Sequence, residues 1–294
     1  MIGFIGLGIM GKPMARNLLH AGCELMVYDV NPAAVQCLLD DGAVSGSLPE
    51  IGAACNVVFL SLPNGTIVQD VLFGDDGLAT TAQHGSIVCD TSSITPTQAQ
   101  TCYSKLKELG VGYVDAPVSG GEPGAIAGTL AFMAGGEQDD FAALEPYFEI
   151  MGSSALLIGP SGSGCVTKLA NQVIVNLNIA AMSEAFVLST KAGADPWKVY
   201  QAIRGGLAGS AVLDAKLPMI VDRNFTPGGK ISINHKDIKN VLNTAHDIDV
   251  PMPLTAQLFE IQQALKVAGH MDDDHCGYVR FFEALAGVEV KREV

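Results

Sequence analysis

A short apolar run, Ile2–Ile5, leads directly into Gly6-Leu7-Gly8-Ile9-Met10-Gly11, a G-x-G-x-x-G spacing that opens a helical pattern ending near Gly22. This spacing restricts the fold strongly. The first glycine permits a tight turn, the second lets a pyrophosphate approach the backbone, and the third allows the helix to pack closely on the strand. The helix start then offers N–H groups and a positive dipole end to an anion. An acid, Asp29, closes the next apolar run, Glu24–Tyr28. There it is placed to accept a hydrogen bond from a ribose 2′-hydroxyl and to repel a 2′-phosphate. Together these features predict a dinucleotide site that takes NAD, with Gly6, Leu7, Gly8, Ile9, Met10, Gly11 and Asp29 as its contacts.

Further strands are expected at Val57–Leu62, Ser86–Cys89, Tyr113–Val114, Leu130–Ala134 and Ala155–Ile158. Helices alternate with them: one is opened by Asn31-Pro32, an N-cap followed by proline at the first helical position, and another runs from Pro96 to Leu109 and stops at Gly110. Such alternation predicts a Rossmann-type, doubly wound, mostly parallel α/β sheet. After Gly164 the strand signals stop, and Pro196–Arg204, Ala211–Met219, His235–His246 and Leu254–Ala268 all read as helical. The expected organisation is a dinucleotide-binding domain over 1–161, a long linking helix over 162–191 and an all-α domain over 192–294.

Seventeen Lys+Arg against 31 Asp+Glu leave a formal charge of −14, which opposes binding to nucleic acid or to an anionic membrane. The longest apolar segment, Leu169–Leu188, is broken by Asn171, Gln172, Asn176, Asn178, Ser183 and Glu184, and so reads as too polar for an unassisted membrane span. The seven cysteines form no C-x-x-C and mostly lie in apolar runs, as reduced core residues do. With no signal-peptide pattern, the expected location is the cytoplasm. A small anion remains a possible ligand if a few lysines or backbone N–H groups make a local positive spot.

Lys168 is the first lysine to examine. It follows the glycine-rich Gly159–Gly164 and shares one face of a helix with Asn171 at i+3. Across Val166–Thr190 the only charged residues are Lys168 and Glu184, the composition of a helix covered on most sides. In such a setting desolvation favours the neutral amine and suits the lysine to acid–base work near neutral pH. A second segment, Asp115-Ala116-Pro117-Val118-Ser119-Gly120-Gly121, follows a strand where a doubly wound sheet presents its ligand-facing loops. Its hydroxyl and two glycines expose backbone N–H groups to a carboxylate. His235-Lys236-Asp237 reads as a solvated helix start. Asp272-Asp273-Asp274-His275 lacks partner ligands at metal spacing, so no metal is expected.

Through Gly3–Asn17, Asp115–Leu130, Gly159–Asn171 and Lys236-Asp237 the chain resembles the β-hydroxyacid dehydrogenase family along its whole length. The resemblance implies roles for particular residues. Lys168 would be the catalytic acid/base with Asn171 beside it, and Ser119, Gly120 and Gly121 would bind the substrate carboxylate. Lys236 would lie near the nicotinamide, while Leu62, Pro63 and Ser93 would line the cofactor cleft. His275 matches the family's Asp-His pair, but Cys276 stands where a serine is expected, so that segment is given no role. The implied partners are a small carboxylate-bearing aldehyde or alcohol and further copies of the chain, as a dimer or tetramer. The expected reaction is reversible NAD-linked reduction of tartronate semialdehyde to D-glycerate. The alternatives are a 3-hydroxyisobutyrate-type 3-hydroxyacid as substrate, or an NAD-binding sensor without activity.

Overall fold

The apolar runs of the first half become strands β1 (Ile2–Ile5), β2 (Leu25–Tyr28), β3 (Val44–Ser45), β4 (Val57–Leu60), β5 (Ile87–Asp90), β6 (Gly112–Asp115), β7 (Val118–Ser119), β8 (Leu130–Gly135) and β9 (Gly152–Gly159). In this computed structural model, which describes residues 1–292, they form one nine-stranded sheet. Its order is β3-β2-β1-β4-β5-β6-β8-β7, with β9 paired to β8. Strands β1 to β6 pair in parallel, whereas β8 runs antiparallel to β6 and β7. The order reverses between β1 and β4, and a doubly wound sheet binds its ligand beyond the strand ends at such a point.

The helices are α1 (Gly11–His20), α2 (Pro32–Asp40), α3 (Leu48–Ala54), α4 (Gly65–Phe73), α5 (Pro96–Glu108), α6 (Gly121–Ala127), α7 (Gln138–Met151), α8 (Ser163–Lys191), α9 (Pro196–Ile203), α10 (Ala211–Val221), α11 (Ile231–Asp247), α12 (Pro253–Val267) and α13 (Val279–Ala286). Several starts are written locally. The Asn31 side chain accepts from Ala33 N–H at the head of α2, and Ser47/Glu50 and Thr95/Gln98 form reciprocal capping boxes at α3 and α5.

Alternating strand residues serve two cores, because successive side chains point to opposite faces of a sheet. Phe4, Phe59, Cys89 and Val114 pack with Met14 and Leu18 of α1 and Leu144 and Phe148 of α7. Their neighbours Ile5, Val58, Leu60, Val88 and Tyr113 pack with Ile51, Val68, Leu72, Ala99 and Leu106 of α3, α4 and α5. Both faces are covered by helices, as the alternating pattern predicts.

Two compact units result, Met1–Lys168 and Leu169–Val294, so the division falls inside α8. Among its described residues the second unit is helical apart from one isolated bridge, Lys230–Asp274, with a core that includes Leu217, Ile238, Leu258 and Tyr278. Helix α8 departs from the expectation of a helix covered on most sides. Leu169, Ile179, Met182 and Phe186 lie in that core, yet Ile174 and Leu188 are 66% and 72% exposed. Its apolar side chains are spread around the axis instead of gathered in one stripe, so a face left unpacked is still apolar. By length and composition alone the helix could also cross a membrane.

Candidate active site

Geometry at the glycine loop explains each glycine separately. Gly6 has φ of +93°, and a Cβ there would sit 2.3 Å from the Ser61 carbonyl oxygen. At Gly11 a Cβ would meet the Gly6 carbonyl oxygen at 1.9 Å. Gly8 is different: it is exposed, with nothing within 4 Å of where its Cβ would be, so its backbone is open to a ligand. Helix α1 has no side-chain cap and no acid in its first turn, which leaves its dipole end available to a phosphate. Asp29 reaches back to the loop, accepting Leu7 N–H on Oδ2 at 2.6 Å and Asn31 N–H on Oδ1 at 2.7 Å. These residues suit the pyrophosphate and adenosine ribose of a dinucleotide. Leu62 and Pro63 follow β4 and Ser93 follows β5, at the same edge of the sheet, where Leu62 N–H donates to Ser92 Oγ at 2.8 Å.

Ser119 ends β7, and Gly120 and Gly121 follow with φ of +137° and +62°, which favour glycine at both positions. Half-buried Lys168, on α8, donates from Nζ to the Val118 carbonyl oxygen at 2.8 Å. The ammonium therefore lies at the segment read as a carboxylate cradle, although 50 residues of sequence separate them.

Two carboxyl groups, Asp90 and Asp115, end β5 and β6 side by side in register and are fully buried. Asp90 accepts from Ser92 N–H at 2.9 Å and from the Tyr113 hydroxyl at 3.0 Å. Asp115 accepts from Gly162 N–H at 2.7 Å and Cys165 N–H at 2.9 Å, with Ser161 Oγ at 3.4 Å. Burial pushes both carboxyls up to about 6, against the pull of these donors. An acid whose pKa is higher folded than unfolded adds stability that is fully present below the unfolded value of 3.8 and is lost as pH rises through about 6. Stability should therefore rise between pH 7 and pH 5 by on the order of 1 kcal/mol per carboxyl, and the melting temperature with it. Thermal denaturation across that range checks this, and a melting temperature that fell steadily on acidification would contradict it.

In the second unit Asn171 and Lys236 belong to one polar network. Asn171 Nδ2 donates to Gln172 Oε1 at 3.0 Å, Gln172 Nε2 donates to Asp237 Oδ2 at 2.6 Å, and Lys236 Nζ lies 3.1 Å from Asp237 Oδ1. Gln172 and Asp237 are buried, so Lys236-Asp237 is not a solvated helix start. Sequence reading takes Gln172 only as a polar break in an apolar helix and gives it no role in the site. The acids of the Asp272–His275 segment are divided among separate cations. Asp272 pairs with Lys230, and Asp273 with Arg280 and His270. Asp274, fully buried, takes Lys216 Nζ at 2.9 Å together with the N–H groups of Gly228, Gly229 and Cys276.

Comparison with known proteins adds to this geometry. Residues 1–167 match a family described as the NAD binding domain of 6-phosphogluconate dehydrogenase, and residues 162–282 match one described as NAD-binding of NADP-dependent 3-hydroxyisobutyrate dehydrogenase. The chain is 41% identical to 2-hydroxy-3-oxopropionate reductase of Escherichia coli, over 97% of this chain and 98% of that protein. It is 34% identical to 2-(hydroxymethyl)glutarate dehydrogenase of Eubacterium barkeri, over 98% and 97% of the two chains. Among solved structures, Mycobacterium tuberculosis 3-hydroxyisobutyrate dehydrogenase with L-serine superposes with a TM-score of 0.88 at 30% identity, covering 95% of this chain and 97% of the other.

Proposed function

Because the chain belongs to the β-hydroxyacid dehydrogenase family of NAD(P)-linked oxidoreductases, we propose that it reduces tartronate semialdehyde to D-glycerate, reversibly, with NADH as the preferred cofactor. A dinucleotide held by the Gly6–Gly11 loop, the start of α1 and Asp29 would supply the hydride for the aldehyde carbon. Lys168 donates a proton to the aldehyde oxygen, so that a primary alcohol results, and it recovers that proton from solvent; in the reverse direction it accepts it. The N–H groups and hydroxyl around Ser119–Gly121 hold the substrate carboxylate. The observation that carries this reading is the 2.8 Å bond from Lys168 Nζ to Val118, the residue next to Ser119. It supports a proton donor acting beside an anion cradle, in a chain whose net charge of −14 would otherwise repel an acid substrate. Asn171 and Lys236, joined through Gln172 and Asp237, are assigned to substrate and cofactor by family resemblance.

The choice of substrate rests on the reductase relative at 41% identity. A methyl-branched 3-hydroxyacid is the second reading, favoured by the likeness to a 3-hydroxyisobutyrate dehydrogenase structure. Steady-state rates with NADH should rank tartronate semialdehyde above methylmalonate semialdehyde, and both far above an uncharged aldehyde of similar size. Holding the carboxylate fixes the distance from the carbonyl to the cofactor, and misplacement is costly. If the uncharged aldehyde performed as well as either acid, carboxylate anchoring would be wrong. If the methyl-branched acid were clearly best, the second reading would replace the first.

A further inference from the structure

We propose that Asp115 is a positioning residue for Lys168: its buried carboxylate joins the start of helix α8 to the strand that feeds the Ser119–Gly121 cradle, and so sets where the ammonium stands. This inference rests on the catalytic reading of Lys168. Two of the bonds are short and come from the two sides of the helix start, Gly162 N–H before it and Cys165 N–H within its first turn. Lys168 follows Cys165 by three residues, about one helical turn. From the same Asp115 the chain runs through Ala116 and Pro117 to Val118, whose carbonyl oxygen receives Lys168 Nζ. One side chain thus closes a ring that contains both the proposed proton donor and the proposed anion cradle.

Close packing supports the joint. A Cβ on Gly164 would lie 2.4 Å from the Asp115 carbonyl oxygen and 2.9 Å from Asp115 Oδ2, so the helix start fits against Asp115 only with glycine there. The titratable groups around the carboxylate are Asp90 and Cys89 on β5, Tyr113 on its own strand and Cys165 on α8, with Cys102 of α5 beside Asp90. Facing it on β8 is Gly135, without an ionisable side chain. Lys168, in the first turns of α8, donates to the Val118 carbonyl oxygen. Burial raises Asp90 as well, with a smaller push from the charge on Asp115, so both carboxyls ionise in the range near about 6.

Protonation separates stability from activity. A protonated carboxyl turns an O–H toward N–H donors and loses one of its acceptor positions, so the helix start loosens even as the cost of a buried charge disappears. Lowering the pH should then raise the melting temperature while lowering kcat. Lys168 cannot supply that acid limb in the reduction direction, because a general acid becomes more fully protonated as pH falls.

The test measures kcat, KM, NADH binding and melting temperature for the wild type, Asp115→Asn and Lys168→Ala between pH 5 and 8.5. Asp115→Asn should stay folded and bind NADH like the wild type. Its kcat should fall ~10- to 100-fold, the scale of a misplaced reacting group, and its acid limb should flatten, because an amide at that position takes up no proton between pH 5 and 8.5. Should that variant fail to fold, the wild type still decides: the amide resonances of Gly162 and Cys165 should titrate in step with the acid limb of kcat. Wild-type kcat and pH profile in Asp115→Asn, or amides that titrate apart from kcat, would overturn the inference. A fully active Lys168→Ala would instead overturn the catalytic reading on which it rests.

Discussion

Lys168→Ala is expected to lower kcat by ~10²-fold or more, the usual scale for losing a positioned acid, while NADH binding stays within a few-fold of the wild type. The lysine is half-buried and donates to the Val118 carbonyl oxygen at 2.8 Å. Losing a hydrogen bond of this kind costs about 1 kcal/mol, a small part of what keeps a domain folded, so the variant should stay folded. Rapid-mixing kinetics with NADH and the aldehyde acid, alongside fluorescence titration of NADH alone, separates the chemical step from cofactor binding. Turnover at the wild-type level would place the proton donor elsewhere.

The second large effect concerns the cofactor. NADPH should be used about two powers of ten less efficiently than NADH, because a 2′-phosphate would approach the Asp29 carboxylate. At ~5 Å and an effective dielectric of ~20, two like unit charges repel by about 3 kcal/mol before screening reduces it. Asp29 is tied to both Leu7 and Asn31 and cannot swing away without leaving two N–H groups unbonded. The next residue, Val30, is 86% exposed and brings no cation that could offset the repulsion. Pairing Asp29→Ser with Val30→Arg should bring the two cofactors close to parity. Comparison of kcat/KM for NADH and NADPH checks both claims, and equal efficiency in the wild type would show that the carboxylate does not meet the phosphate.

Legibility in the sequence followed the strength of the local signal. Runs such as Ile2–Ile5 and Val57–Leu60 were readable because β-branched and aromatic residues buried on both faces leave an uninterrupted apolar string. Helices α3, α4, α6, α7 and α13 lie outside the sequence expectation. Four have nine residues or fewer, too short to repeat a helical period, and the fifth carries Pro146 inside it. The signals that would have found two of them are caps: Ser47 with Glu50 for α3, and Asn64, whose side chain accepts from Ile67 N–H, for α4. Strands β3 and β7 have two residues each, too short for any alternation.

At the site the same limit applies to long-range pairs. Lys168 and the Ser119–Gly121 cradle could each be singled out, but their meeting depends on how β6 and α8 are brought together. The ranking of the two carboxyls was likewise out of reach. Asp90 looks like any acid at a strand end until its register beside Asp115 and its complete burial are known.

Asp274 makes the second unit dependent on one residue in a way that concerns protein abundance. Its carboxylate is the shared acceptor for an ammonium on α10 and for backbone donors from two further segments, and substitution strands all of them at once. Removing one partner of a buried, hydrogen-bonded pair costs about 3–5 kcal/mol, a large fraction of what keeps a domain folded. A cell carrying such a variant would clear most of it through its chaperones and proteases before it could turn over substrate. Its phenotype would imitate the loss of a catalytic group, and the quantity to compare between such alleles is the steady-state level of the protein per cell.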